Sequence, residues 1–255
     1  MWSRFVYLLL LGLSLCCVLS AQMKLTIQPS EVPDVSLAQY SPSAHPAFGG
    51  FLDDNQVAPS KGAALVVTNS TNRTIVGISV IWDYADASSK LSHRAVKSDS
   101  FLTNDKRPVL QPGGQLLLTP TTMITDVAAK SGSYSTLVSG QSQQNDLVNT
   151  SSSITGHLDL VIFEDGEIVG RDQRNYIDEL KSRKKAAETL LRELREANGH
   201  EAAVAVLAKE GSLRPQNAEE AWRLRYARRL RGAPDIERAI QALSQLPELP
   251  QFYRK

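Results

Sequence analysis

Cysteine is nearly absent from this chain. The 255 residues hold two, Cys16 and Cys17, side by side within an apolar stretch at the N-terminus. A chain trimmed of that stretch has no thiol, which excludes disulfide staples, thiolate nucleophiles and cysteine-based zinc sites. Charge of one sign is also missing: 28 Lys and Arg against 27 Asp and Glu leave +1, so no overall imbalance points to nucleic acid or to a membrane. Beyond Leu19 no apolar run approaches the ~20 residues that span a bilayer. Nor does the chain contain HExxH, GxSxG, a GxxxxGK loop or GxGxxG, the local patterns of zinc peptidases, serine hydrolases and phosphate-binding loops. The remaining composition, 42% apolar and 22% charged, is that of a folded protein and excludes wholesale disorder and collagen-like structure.

Residues 1–21 read as an export signal. Met1 to Arg4 form a short positive region, Phe5 to Leu19 carry no charge, and Val18-Leu19-Ser20 offers small residues for cleavage near Ser20/Ala21. The apolar stretch is short for a permanent anchor, so cleavage is expected, with a retained anchor as the alternative. Leu15 precedes Cys16 and Cys16 precedes Cys17, where a lipidation site needs a small residue. The expected location is outside the cytoplasm: periplasmic, envelope-associated or secreted.

Composition divides the rest. Residues 22–61, with Pro29, Pro33, Pro42, Pro46 and Pro59, form an extended lead-in with an edge strand at Leu25 to Ile27. Residues 62–170 have strand period. Val76, Ile78, Val80, Trp82 and Tyr84 alternate with smaller or polar residues, Ile81 excepted, which predicts a half-buried strand with Trp82 facing a core. Ala63 to Thr68 is a second strand, and the polar Asn69 to Arg73 segment predicts a hairpin between the two. Leu110-Gln111-Pro112-Gly113 sets a turn ahead of the apolar Leu116 to Leu118. Asp165-Gly166 between Leu158 to Phe163 and Ile168-Val169 predicts a hairpin with a type I′ turn. Short strands with turn punctuation and no intervening helix predict an antiparallel β-sandwich, with Ser131 to Ser153 as an exposed loop and Leu137-Val138 a short strand within it.

Residues 171–255 switch to helical period. Ile177, Leu180, Ala187, Leu191 and Leu194 share one face behind Asp172 as the cap, and Asn198-Gly199 is a natural stop. Glu179–Arg183 and Glu188–Arg192 are spaced as i,i+4 pairs. A helix from Glu201 to Lys209 follows, then one capped by Asn217 with Glu220 and ending at Arg231-Gly232, then one from Asp235 to Leu243 with Pro234 at its first turn. Leu246 to Pro250 is an extended tail. The fold class is thus mainly β plus α, a sandwich followed by a helical segment. Residues 22–170 hold 9 Lys/Arg and 14 Asp/Glu, and residues 171–255 hold 18 and 13, so an acidic β portion carries a basic helical one. Their mutual attraction is the simplest use of that asymmetry.

Candidate sites are sparse. Asp159, Glu164, Asp165, Glu167 and Asp172 form the densest acidic patch, but no calcium-loop spacing is present; a turn explains Asp165, a solvated strand face Asp159, and capping Asp172. His45, His93, His157 and His200 have no metal-ligand spacing, although a Ser-His-Asp site assembled in space has no sequence signature to lose. Arg223, Arg225, Arg228, Arg229 and Arg231, interleaved with Trp222 and Tyr226, form a candidate contact for an anionic lipid or glycan surface. Against that stands a surface helix whose arginines complement its C-terminal dipole, with Glu219 pairing Arg223. Export argues against nucleic acid. Asn69, Asn72 and Asn149 begin glycosylation sequons.

Four of these features occur together: Asn69 to Ile75, Leu110 to Gly113, Phe163-Glu164-Asp165-Gly166, and Gly170 to Asp172 before a helix. In this the chain resembles uncharacterised exported bacterial proteins with an Ig-like sandwich. The resemblance implies that fold over about 110 residues and assigns no activity, cofactor or catalytic residue. The expected function is a non-enzymatic interaction or scaffold module with a protein partner and no cofactor or metal. Two alternatives stay open, a secreted hydrolase with a spatially assembled site and an anionic-surface binder acting through the arginine-rich helix.

Overall fold

A computed structural model describes residues 24–49, 58–101, 107–125, 147–197, 199–233 and 235–255. The N-terminal signal with its two cysteines, the Leu137-Val138 strand and Pro234 lie outside the described residues. Among those residues no helix is long and apolar enough to cross a membrane.

The strands run β1 (Lys24–Ile27), β2 (Val35–Gln39), β3 (Leu65–Asn69), β4 (Ile75–Ala85), β5 (Leu91–Asp99), β6 (Gln115–Leu118), β7 (Met123–Thr125), β8 (Ser153–Phe163) and β9 (Ile168–Gly170). They form two sheets, one ordered β1-β8-β4-β5 with β9 also on β8, the other β2-β3-β6-β7. Every pairing is antiparallel except β1 with β8. Leu65, Val67, Leu116 and Leu118 of the second sheet share one buried cluster with Ile78, Val80, Trp82, Tyr84, Ile154 and Val161 of the first. The sheets approach closely at Gly156, where an added Cβ would stand 2.6 Å from Leu65 Cδ1. Trp82, fully buried, donates its Nε1–H to Ala63 O at 2.8 Å, satisfying its one polar atom inside the core.

The expected β3–β4 hairpin is not formed. β3 pairs with β2 and β6, whereas β4 pairs with β5 and β8, so residues 70–74 cross from one sheet to the other. The polar segment is a turn, as its composition requires, but a turn does not dictate that its flanking strands pair. β2 and β5 carry too few large apolar residues to stand out in the sequence; along β5 only Val96 is buried. A register shift between Ile75 and Gly77 also breaks the expected alternation of β4. Val76 there packs with the opposite cluster, beside Leu160 and Ile162, while Ile78 to Tyr84 hold the predicted inward parity. Such a bulge re-aims one side chain and accentuates the strand's twist.

Both outer faces are covered in part. Tyr40 and Phe48 pack with Val66 and Leu117 on the β3–β6 sheet. On the β4–β8 sheet, Tyr176, Ile177 and Leu180 from the start of α1 (Tyr176–Glu196), together with Leu246, Leu249 and Phe252 of the tail, cover Leu160 and Ile162. Being covered on both faces, Leu158 to Phe163 are all buried, which is why that run reads as continuously apolar apart from Asp159. Helices α2 (His200–Glu210), α3 (Ala218–Arg231) and α4 (Ile236–Ser244) close a further apolar cluster around Leu190, Leu194, Leu207, Ala227 and Leu243.

Candidate functional site

Three strands bring together residues far apart in sequence. Asp83 on β4 lies directly opposite His93 on β5, with Oδ1 2.5 Å from His93 Nδ1; its Oδ2 lies 3.6 Å from Nδ1 of His157 on β8. One carboxylate thus stands between two imidazoles. His157 is 7% exposed, and neither of its ring nitrogens has a hydrogen-bond partner. Beside it a cavity of about 20 Å³, lined by Gln28, Glu31, Asp159, Arg171 and Gln173 among others, has room for a single water molecule. Glu31 and Arg171 pair across its mouth, and the Arg171 hydrogen bond holds the Glu31 carboxyl below its ordinary range. The arrangement supplies bases and an orienting carboxylate. Among the described residues no serine hydroxyl bonds to either histidine, and no group of three or more His, Cys, Asp or Glu is arranged to hold a metal ion. His45 caps a separate turn, with Ser41 N–H donating to its Nδ1, and His200 lies on α2 near Glu237. The His–Asp contacts join strands at one end of the sheet, and nothing in their geometry positions a nucleophile.

The acidic patch resolves into separate structural contacts. Asp159 is 1% exposed, not on a solvated face as expected. It sits at the β8 register shift, accepting from Ser79 Oγ at 3.2 Å and from Gln173 N–H at 2.8 Å. Asp172 accepts from the amides of Tyr176 and Ile177, so it caps α1 from ahead of the formal first residue, where Asn175 adopts a left-handed conformation. Glu164 is exposed. Asp165 and Glu167 both pair with Arg73, whose guanidinium carbon lies 3.8 Å over the Phe163 ring. The C-terminal tail joins them. Tyr253 exchanges backbone hydrogen bonds with Gly166 and Ile168, its hydroxyl donates to Asp165 at 3.0 Å, Lys255 meets Glu167 at 2.8 Å, and Arg254 donates to Gly170 O. Lys255, then Arg73, hold the Glu167 carboxyl below the usual carboxylate range.

Three of the four sequence features singled out above therefore meet one another. Buried Asn69 donates to Arg73 O at 2.8 Å and to Gln111 O at 3.2 Å, tying the sheet-crossing turn to the Pro112-Gly113 turn, while Arg73 ties it to the Phe163–Gly166 turn. Gly113 has φ +73° and Gly114 N–H returns to Gln111 O, as a type II turn requires. The Asp-Gly hairpin differs from expectation: Gly166 has φ +90° but Asp165 is not left-handed, and Gly166 N–H bonds to Phe163 O. This is a turn followed by a left-handed glycine rather than type I′. These motifs hold the end of the fold together.

The arginines of α3 are sorted by the fold. Arg223 reaches buried Glu210 at 2.8 Å and Glu193 at 3.9 Å, an interior brace between helices. The expected Glu219–Arg223 pair gives way to Glu219 with Lys185 at 2.8 Å. Arg225, Arg228, Arg229 and Arg231 are exposed. Arg225 stacks 4.5 Å over the Trp222 ring and Arg228 Nε donates to Gly211 O at 3.1 Å; among the described residues none of the four pairs with a carboxylate. Capping proceeds as the sequence predicts at Asn217, which accepts from Glu220 N–H, and Asp235 accepts from Arg238 N–H as the cap of α4 rather than its first helical residue.

The chain matches no protein-family model, no curated protein sequence and no solved structure.

Proposed function

We propose that this is an exported, non-enzymatic interaction module in which an Ig-like β-sandwich presents a helical segment to a partner outside the cytoplasm. The observation that carries the reading is how firmly the helices are mounted. α1 is pinned to β5 by Arg183 with Asp99 at 2.6 Å, by the Tyr176 hydroxyl on the same carboxylate at 3.1 Å, and by Lys97 with Glu179 at 2.5 Å. The other end of the helical segment is fixed by the tail on β9. A segment held at both ends offers a pre-ordered surface, and pre-ordering lowers the entropic cost of binding. The N-terminal signal supports export, and the two-layer β body with a common core supports the sandwich.

The test is to express the tagged full chain in its native host, fractionate the cells, sequence the mature N-terminus, and cross-link from photo-reactive residues placed on α3 and on β5. Recovery outside the cytoplasm with a new N-terminus near Ala21 and α3-specific adducts is expected. Intact Met1 on cytosolic material overturns export; adducts from neither position overturn the module.

A further inference from the structure

Resting on that reading, we propose that the exposed arginine ridge of α3 docks the protein onto an anionic phospholipid surface. Arg225, Arg228, Arg229 and Arg231 recur at spacings that gather them along one side of the helix, while the other side is buried through Ala227 and Leu230. Two are held in place before any ligand arrives, Arg225 by Trp222 and Arg228 by Gly211 O, so little side-chain entropy is lost on contact. The adjoining end of α2 adds exposed Lys209, and the loop after it exposed Arg214. By contrast Arg223, alone of the five, is neutralised by two carboxylates.

The placement of charge favours a bilayer over a threaded polyanion. A cavity of about 450 Å³ lies between α1 and α4. Its cations Lys184, Arg192 and Arg195 are matched by Glu188, Glu196 and Glu248, so it offers an anionic chain no net attraction. The α3 ridge takes no part in lining that cavity, and all four of its arginines are exposed. Among the described residues no large apolar side chain is fully exposed beside the arginines: Leu224 is half-buried, and Trp222 lies between Arg183 and Arg225. Attachment is therefore electrostatic, without insertion, and reversed by salt.

Flotation with vesicles of phosphatidylcholine alone or with about one-third phosphatidylglycerol tests this on the protein purified from its native host. Each arginine near such a surface strengthens binding about fivefold at low salt. The quadruple Arg→Gln variant at 225, 228, 229 and 231 is expected to lose at least about fiftyfold in partitioning onto anionic vesicles. A control with the same charge change at exposed Lys24, Lys90, Arg174 and Lys181 should lose less than about fivefold. Equal loss in both variants, or wild-type binding no stronger to anionic than to neutral vesicles, overturns the proposal. Retention on immobilised heparin without vesicle binding also overturns it, in favour of a glycan. Vesicle binding that fails while α3 still cross-links to a protein leaves the module reading standing and removes only the lipid.

Discussion

Arg183 of α1 grips Asp99 of β5 at 2.6 Å while its guanidinium carbon lies 4.8 Å over the Trp222 ring of α3. Sheet, first helix and third helix thus meet at one cation. Both members of the pair are largely buried, at 14% and 4% side-chain exposure, and the Tyr176 hydroxyl on the same carboxylate is pushed well above its ordinary range, first by burial and then by the Asp99 charge. Removing one partner strands the other charge. Asp99→Ala is expected to lower unfolding free energy by about 3–5 kcal/mol, whereas combining it with Arg183→Met should recover more than half of that. Denaturant titration of the single and double variants checks the coupling.

Two glycines with positive φ make a paired prediction. Gly170 has φ +113°, and an added Cβ would stand 2.3 Å from Asp159 O; Gly113 has φ +73° with nothing within 4 Å. Gly113→Ala meets only the intrinsic backbone penalty, about 1–2 kcal/mol. Gly170→Ala adds a backbone collision at the start of the helical segment and is expected to cost at least about 3 kcal/mol. Thermal unfolding of the two variants should separate them clearly.

The tail contact is sensitive to acid. Glu167 titrates below its ordinary value in the folded chain, and Asp165 does too: partial burial pushes it upward, but the Glu167 amide, Tyr253 and Arg73 outweigh that. Stability from such groups is present above the unfolded carboxylate range and is lost as pH falls through the lowered folded values. The protection of the Ile168 amide, which bonds to Tyr253 O at 2.8 Å, relative to its intrinsic exchange rate should fall below about pH 4. Glu167→Gln should exchange faster at neutral pH and show a flatter acid response.

Of the three sequons, Asn69 is fully buried with its amide nitrogen committed to two carbonyls, while Asn72 and Asn149 are exposed. Expression in a glycosylating host is expected to modify Asn72 or Asn149 and never Asn69, as glycopeptide mass spectrometry reports. Asn69→Ala leaves the Arg73 and Gln111 carbonyls without this donor, and a loss of about 1–3 kcal/mol is expected.

Turn chemistry was the most legible part of the sequence, because it is local. Gly113 and Gly166 adopt the positive φ read from their dipeptides, Asn217 caps α3 as read, and Ile177, Leu180, Ala187, Leu191 and Leu194 are buried on one face. What the sequence hid is which elements pair. Nothing local tells Asn69 to send the chain into the other sheet, and β5 is polar enough to pass for a loop. The Glu179–Arg183 pair read on α1 failed for the same reason: the two find Lys97 and Asp99 on β5 instead, while Glu188 lies near Lys184 of its own helix. The His93–Asp83–His157 row was invisible because it needs three strands, β5, β4 and β8, in register.

The helical excursion leaves the β body at Gly170 and returns where Arg254 donates to the carbonyl of that same glycine. Its departure and arrival points coincide, so it is topologically a cassette plugged into a single doorway. An exchange of everything between those anchors for another bundle of matching footprint would leave every strand pairing of the two sheets in place.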